Sequence, residues 1–513
     1  MMSSGTAADR PRLSVAMIVR DEESLLPDAL RSVRQVADEV VVVDTGSRDA
    51  TPRVVRDHGG RLVMSPWQDD FSHARNRALE VVTGDWILWL DAGERLSPRC
   101  APRLREFVDG HPDKSKAWLC TIELPPTTSQ GHADQIGQTR LIPRRPDLRF
   151  SGRVRETLRP ALAAAGMTVE LGAWRLLRTA RDHDPQWKRQ KALRDLRLIE
   201  RELKEQGPSP RLLLALADAC SHLGDLKKAA HYYRQVVATA ERGSTEMLSA
   251  YYGLLTSFPQ DMDPGNAQLE VCIEALDTFP YDAQLLCAMG SYLQEQGHLN
   301  LAQRSYRAAH EFGQINPETW HIGSIGEVAS ICLSLNLQLL SDDAAALRVL
   351  RDAEVRYPSS RRIPRRRLEV HVKRGEREEA LAVLDRVEPA ADARNALRDA
   401  VEGACLASQK NWTAALPSLE RAYEAGCRDP LGLRWYVAAL YASGRHDTLQ
   451  RVLDHWSQLE PQSTEVARYR EAVAAAASET PAADQGLAES RAPIPTHHLN
   501  GHALDAFQPS RPG

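Results

Sequence analysis

Asp91 and Glu94 stand three positions apart where the apolar run of GDWILWLDAGERL (84–96) ends. Carboxylates so placed serve a surface turn, or they hold a divalent cation against a phosphate. Asp44 closes a second apolar run, EVVVVDTGS (39–47), and Arg20-Asp21 follow a third, LSVAMIV (13–19). Arg75 and Asn76 lie in FSHARNRALEVV (71–82), and GRVRE (152–156) sets Arg155 beside Glu156. Glu156 sits within 139–162, which also carries Arg140, Arg144, Arg145, Arg149, Arg153 and Arg159. A guanidinium grips phosphate through its planar fork, and a carboxylate can accept a proton or a hydroxyl hydrogen bond. The arginine-rich segment therefore reads in two ways, as a phosphate-binding surface or as a solvated lid loop. It lacks the aromatic interleaving of a nucleic-acid surface.

These residues need elements to position them. Strand-length apolar runs at 13–19, 39–47, 61–67 and 85–91 alternate with helical patterns at 22–37, 49–59 and 71–82. Pro52 suits a first helical turn, with Asp49 and Thr51 as caps. Alternation of this kind predicts a mostly parallel sheet covered on both faces, with ligands beyond the carboxyl ends of the strands. One Asp after a strand is commonly a cap or a turn. Three polar strand ends in one sheet point to a site. Residues 96–109 read as helical and 117–124 as a further strand.

The chain has 513 residues, too many for one core, so two or three domains are expected. With 65 basic and 69 acidic residues the formal net charge is -4, which does not suggest bulk binding to nucleic acid. Eight cysteines without a C-x-x-C pair argue against a zinc site or a disulfide framework. The first residues lack a signal peptide's apolar core, and no apolar stretch reaches membrane-spanning length, so a cytoplasmic location is expected.

From about residue 186 the pattern turns helical. Turn markers at Gly224, Gly297, Gly375, Asn411 and Gly444 recur at one or two multiples of about 33–39 residues, the period of tetratricopeptide-like hairpins. The expected organisation is a disordered lead at 1–11, an α/β domain at 12–180, a helical repeat domain at 186–476 and a disordered tail at 477–513. His497, His498 and His502 in that tail could bind a metal; a solvated tail is the plainer reading.

Taken together, SVAMIVRDEESLLPDALRSV, DEVVVVDTGSRDAT, W-x-x-DFSHARNRAL and GDWILWLDAGERL resemble the inverting glycosyltransferase family 2 of the GT-A (Rossmann-like) fold. The nearest branch is that of lipopolysaccharide-core and peptide S-glycosyltransferases with C-terminal helical repeats. The resemblance covers roughly residues 13–160. It implies that Asp44, Gly46 and Ser47 meet the nucleotide of a UDP-sugar, that Arg20, Arg75, Asn76 and Arg155 complete the donor site, and that Asp91 meets a divalent cation, Mg or Mn. Trp67 and Phe71 would wall the base or pack in the core. The chain departs from the family at two points. The usual DADE reads Asp91-Ala92-Gly93-Glu94, and the usual Gly-x-x-His-Glu reads Gly152-Arg153-Val154-Arg155-Glu156. Metal binding by Asp91, with Glu94 as the other candidate ligand, is then weakened or dispensable, with Arg155 a fixed cation in its stead. Glu156 is the candidate general base, and Asp91 is catalytic through the diphosphate.

Two readings follow. One is an active hexosyltransferase-like enzyme acting on a glycan, lipid-linked or peptide acceptor, with repeats for a partner or for self-association. The other is a degenerate fold that binds a nucleotide or partner as a scaffold, motivated by Gly93 and Arg155. Neither reading involves nucleic acid or a transmembrane segment.

Overall fold

The computed structural model describes residues 10–126, 132–258, 264–388, 390–460 and 463–478. Most of the expected lead, and the tail with His497, His498 and His502, lie outside the described residues. The chain packs as two compact units, one holding the residues to Leu285 with Gln314–Ser324, the other Leu286–Gly313 with the residues from Ile325.

The first unit begins with the expected alternation: β1 (Leu13–Val19), α1 (Leu26–Val33), β2 (Glu39–Asp44), α2 (Thr51–Asp57), β3 (Arg61–Met64), α3 (Phe71–Val81) and β4 (Trp86–Trp89). These strands pair in the order β3-β2-β1-β4 and all run parallel. The chain leaves β1 to one side for β2 and returns to its other side for β4, which opens a crevice at the carboxyl ends. Alternation along β1 serves two cores. Leu13, Val15, Met17 and Val19 pack with Leu26, Leu30 and Val33 of α1, whereas Ala16 faces the other core with Ala78 of α3 and Trp89. Each fully buried Val, Leu or Ile contributes about 1.5–3 kcal/mol, so a shift by one residue would be heavily penalised.

The sheet then continues with β5 (Glu94–Leu96), α4 (Ala101–Asp109), β6 (Lys116–Leu124), β7 (Asp134–Pro143), α5 (Arg159–Ala164) and β8 (Thr168–Arg178). β7 runs antiparallel to β4 and β6, β8 is parallel to β6, and β5 is antiparallel to β8. The start of the arginine-rich segment is thus a sheet strand, β7. Its alternation was hidden because one inward position, Arg140, is charged and 3% exposed.

Helices follow: α6 (Pro185–Gln206), α7 (Pro210–His222), α8 (Leu226–Thr239), α9 (Thr245–Leu255) and α10 (Pro264–Thr278), then α11 (Ala283–Glu295) and α12 (Leu299–Phe312). The short β9 (His321–Ile322) pairs with β7. Asp184, Ser209, Asp225 and Ser244 cap α6 to α9 through their side chains.

The second unit carries α13 (Ile325–Leu339), α14 (Asp343–Arg356), α15 (Arg362–Arg374), α16 (Arg377–Ala382), α17 (Leu384–Val387), α18 (Ala391–Ser408), α19 (Trp412–Glu424), α20 (Pro430–Ala442), α21 (His446–Leu459) and α22 (Thr464–Ser478). Its helices stack in tetratricopeptide-like succession. The expected turn markers fall between helices: Gly224, Gly297, Gly375 and Gly444 have positive φ, and Asn411 caps α19. Among the described residues no helix is long and apolar enough to cross a membrane. All eight cysteines are free thiols.

Candidate active site

The carboxyl ends of β1 and β4 open into a cavity of about 1330 Å³. Its lining includes Arg20, Arg75, Asp91, Arg155 and Glu156, together with Arg178 and residues of α6 to α9.

Arg75 organises the centre. It projects from α3, whose first turn is fixed by Asp70 accepting from His73 N at 3.0 Å. Its guanidinium lies over the rings of Trp89 (4.4 Å) and Phe150 (5.3 Å), so its plane is held by two aromatic faces. Nε donates to Glu156, and Nη2 lies 3.4 Å from Asp91 Oδ1. Three predicted site residues from separate segments therefore meet through one guanidinium.

Asp91 has a second cationic partner. Arg140 Nη2 donates to Asp91 Oδ2 at 2.9 Å and to Glu94 Oε1 at 2.8 Å. Arg178 Nη2 lies 3.3 Å from the same Glu94 oxygen, and Asp91 N donates to Glu94 Oε2 at 3.2 Å. Burial opposes the charge on Asp91, but Arg140 and Arg75 outweigh it and hold the carboxyl well below the usual carboxylate range. Burial, helped by neighbouring Asp91, pushes the Glu94 carboxyl up against the pull of Arg140 and Arg178. Glu94 is fully buried. As a metal-binding set these residues do not fit, because both carboxylates are already engaged by guanidiniums. Among the described residues no group of three or more His, Cys, Asp or Glu could hold a metal ion.

Asp44 acts locally. Its Oδ1 accepts from Gly46 N and Ser47 N, both at 2.7 Å, which shapes the turn after β2. Gly46 has φ +113°, a conformation open to glycine. Ser47 Oγ accepts from Asp21 N at 2.9 Å, tying this turn to the end of β1. Asp44 is fully buried, and its Oδ2 has no partner. Arg20 is half-exposed on the cavity wall, with Asp21 3.8 Å away. Of the expected caps of α2, Asp49 accepts from Thr51 N at 2.9 Å, while Thr51 Oγ1 accepts from Glu22 N at 2.8 Å.

Asn76 faces away from the centre and pairs with the backbone of Phe150. Residues 151–157 then close on themselves, Ser151 and Thr157 exchanging two 3.0 Å backbone bonds. The loop is pinned from outside: Glu202 accepts from Arg153 N at 2.7 Å, and Arg211 Nη1 donates to Val154 O at 2.7 Å. Of its arginines, Arg153 pairs with Glu205 at 2.8 Å, Arg155 with Asp218 at 2.5 Å, and Arg159 with Glu318 at 2.6 Å. The segment is a tethered wall, not a lid solvated by its own charges. Trp67 and Phe71 meet edge to face at 4.8 Å.

Sequence reasoning assigned no role to Arg178, Arg181, Asp134 or Lys191, and read Arg140 only as part of a phosphate-binding or lid segment, where it instead binds Asp91 and Glu94. Only Arg140 carried a signal, a charged residue at an inward position of DQIGQTRLIP.

The sequence of residues 14–146 matches the model of glycosyl transferase family 2. A TPR repeat-containing protein of Synechococcus elongatus is 42% identical over 153 residues, 30% of this chain and 37% of that protein. An uncharacterised glycosyltransferase of Rickettsia typhi is 29% identical over 100 residues, 20% of this chain and 34% of that one. The chain thus spans about a third of the length of these curated relatives. Among solved structures, a tetratricopeptide repeat protein of Parabacteroides merdae aligns with 52% of this chain and 98% of its own, at 13% identity and a TM-score of 0.39. With the strand order and the family match together, residues 14–146 are similar to glycosyl transferase family 2, and the helices that follow are tetratricopeptide-like.

Proposed function

We propose that the chain transfers a hexose, with inversion, from a nucleoside-diphosphate sugar, a UDP-sugar first among the candidates, to a glycan, lipid-linked or peptide acceptor. The α/β part at 12–180 would hold the donor, and the helical part at 186–476 would recognise the acceptor or a partner. The observation that carries this is the meeting of Arg75, Asp91 and Glu156 at the carboxyl ends of the parallel strands. In this reading the unpartnered Asp44 Oδ2 takes a hydrogen bond from the nucleoside, with Gly46 and Ser47 shaping the turn around it. Arg20 closes the rim, and Asn76 holds the loop that carries Arg155 and Glu156. Glu156 takes the acceptor's proton as the nucleophile attacks the anomeric carbon and the nucleoside diphosphate leaves.

One observation favours the scaffold reading: the Glu156 carboxylate is already bound by Arg75. An ion pair there blocks a base unless the acceptor displaces it. The two readings separate on donor turnover. Radiolabelled UDP-glucose and related donors are incubated with the full chain and with Glu156→Gln, and release of nucleoside diphosphate is followed. The enzyme reading expects turnover that falls by about 100- to 10,000-fold in the variant. No turnover with any donor, alongside nucleotide binding, would support the scaffold.

A further inference from the structure

We infer that side-chain cations on the cavity wall, Lys191 with Arg155 and Arg178 beside it, take the donor's diphosphate in place of a divalent cation. This rests on the transferase reading above.

The carboxylates come first. A divalent cation such as Mg or Ca asks for roughly six hard oxygen ligands. Asp91 offers oxygens already bonded to Arg140 and near Arg75, and Glu94 is buried against Arg140 and Arg178. Position 93 supplies no ligand. A Cβ there would meet Thr179 Oγ1 at 3.6 Å, Arg181 Nη2 at 3.7 Å and Leu25 Cδ1 at 3.8 Å, all ordinary contacts. A side chain could begin at position 93 without a clash, and a guanidinium stands beside it. That guanidinium is fixed: Arg181 donates to both oxygens of Glu22, at 2.8 and 3.1 Å, and stacks 4.0 Å over Trp187.

The lining of the cavity also carries basic side chains. Lys191, on α6, lines the same cavity, and among the described residues no hydrogen bond or ion pair engages its ammonium. Burial, then the like charge of Arg178 and later that of Arg155, bring this ammonium down to about 8, against the pull of Asp195 and Asp182. Arg178 also meets Glu94 and Asp182, each at 3.3 Å, and Arg155 meets Asp218, so of the three Lys191 is the cation without such a carboxylate; like charges lining one cavity repel, and a bound anion relieves that repulsion. Arg155 is held for such a role. It sits at φ +49°, a strained conformation for a non-glycine residue, in the loop pinned by Glu202 and Arg211. Its guanidinium remains about two-fifths exposed beside Asp218.

The test is titration calorimetry on the full chain with UDP, GDP, CDP and ADP and with their parent nucleosides, each in EDTA and in Mn²⁺. The inference expects one diphosphate to bind equally well in both buffers. Lys191→Met, with an unchanged melting temperature, should weaken that binding by about tenfold or more and leave the nucleoside unaffected, while Lys191→Arg retains it. A diphosphate that binds only with Mn²⁺, or one that Lys191→Met does not weaken, overturns the inference and leaves the transferase reading standing. Binding of no nucleoside diphosphate in either buffer overturns both.

Discussion

Asn76 and Phe150 are clasped by two hydrogen bonds: the Asn76 amide donates to Phe150 O at 2.9 Å and accepts from Phe150 N at 2.8 Å. The pair joins α3, which carries Arg75, to the loop that carries Glu156. Asn76→Ala should cost about 1–2 kcal/mol, because a partly buried donor and acceptor lose their partner. Urea unfolding would measure it, and turnover should fall more than stability predicts, as the Arg75–Glu156 pair loosens.

Arg140 is the ion that satisfies the fully buried Glu94 and the half-buried Asp91. Arg140→Met leaves Asp91 and Glu94 with fewer partners in an apolar setting, and about 3–5 kcal/mol should be lost. The Asp91 part has a definite sign with pH. Its carboxyl is depressed in the folded state, so its stabilisation is fully present above the unfolded value of about 3.9 and fades as pH falls below it. Denaturant melts of both proteins from pH 7 downward should therefore converge in acid.

Asp134 behaves in the opposite sense. Burial pushes its carboxyl up to about 7, with Lys188 pulling the other way. The folded state holds this proton where the unfolded chain has released it. Its cost is absent below the unfolded value, grows as pH rises and is complete above about 7. Asp134→Asn should thus raise stability at pH 8 by about 1–3 kcal/mol and have no effect near pH 4. Thermal melts across that range would read it; equal shifts at both ends would refute the assignment.

Two helical glycines accept an aromatic ring. A Cβ at Gly253 would lie 2.2 Å from Tyr233 Cζ, and one at Gly290 would lie 2.6 Å from Tyr306 Cε1. Alanine is intrinsically the better helix residue by about 1 kcal/mol. Overpacking against a buried tyrosine costs more, so Gly253→Ala and Gly290→Ala should each destabilise by about 1–3 kcal/mol. A rise in melting temperature for either would show that the ring can move aside.

The sequence by itself determined the first half of the sheet, the likeness of residues 14–146 to glycosyl transferase family 2, and the repeats. Those are written in local periodicity: uninterrupted apolar strands between 3.6-period helices, and turn residues at a fixed spacing. It also placed Arg75, Asp91 and Glu156 among the site residues. The strand at 117–124 was legible as β6, whereas β7 escaped because it carries Arg140 at an inward position, and the three-residue β5 has no room for a pattern. Tertiary structure alone decided what each charged group does. Asn76 went to a backbone clasp, Asp44 to its own turn, Glu94 to a buried cluster, and Arg155 to Asp218. Lys191 and Arg178 joined the site without any motif. Such roles depend on which opposite charge lies nearby once the chain is folded. Asp44 apart, whose partners Gly46 and Ser47 are local, those partners are tens of residues away, beyond what any local pattern records.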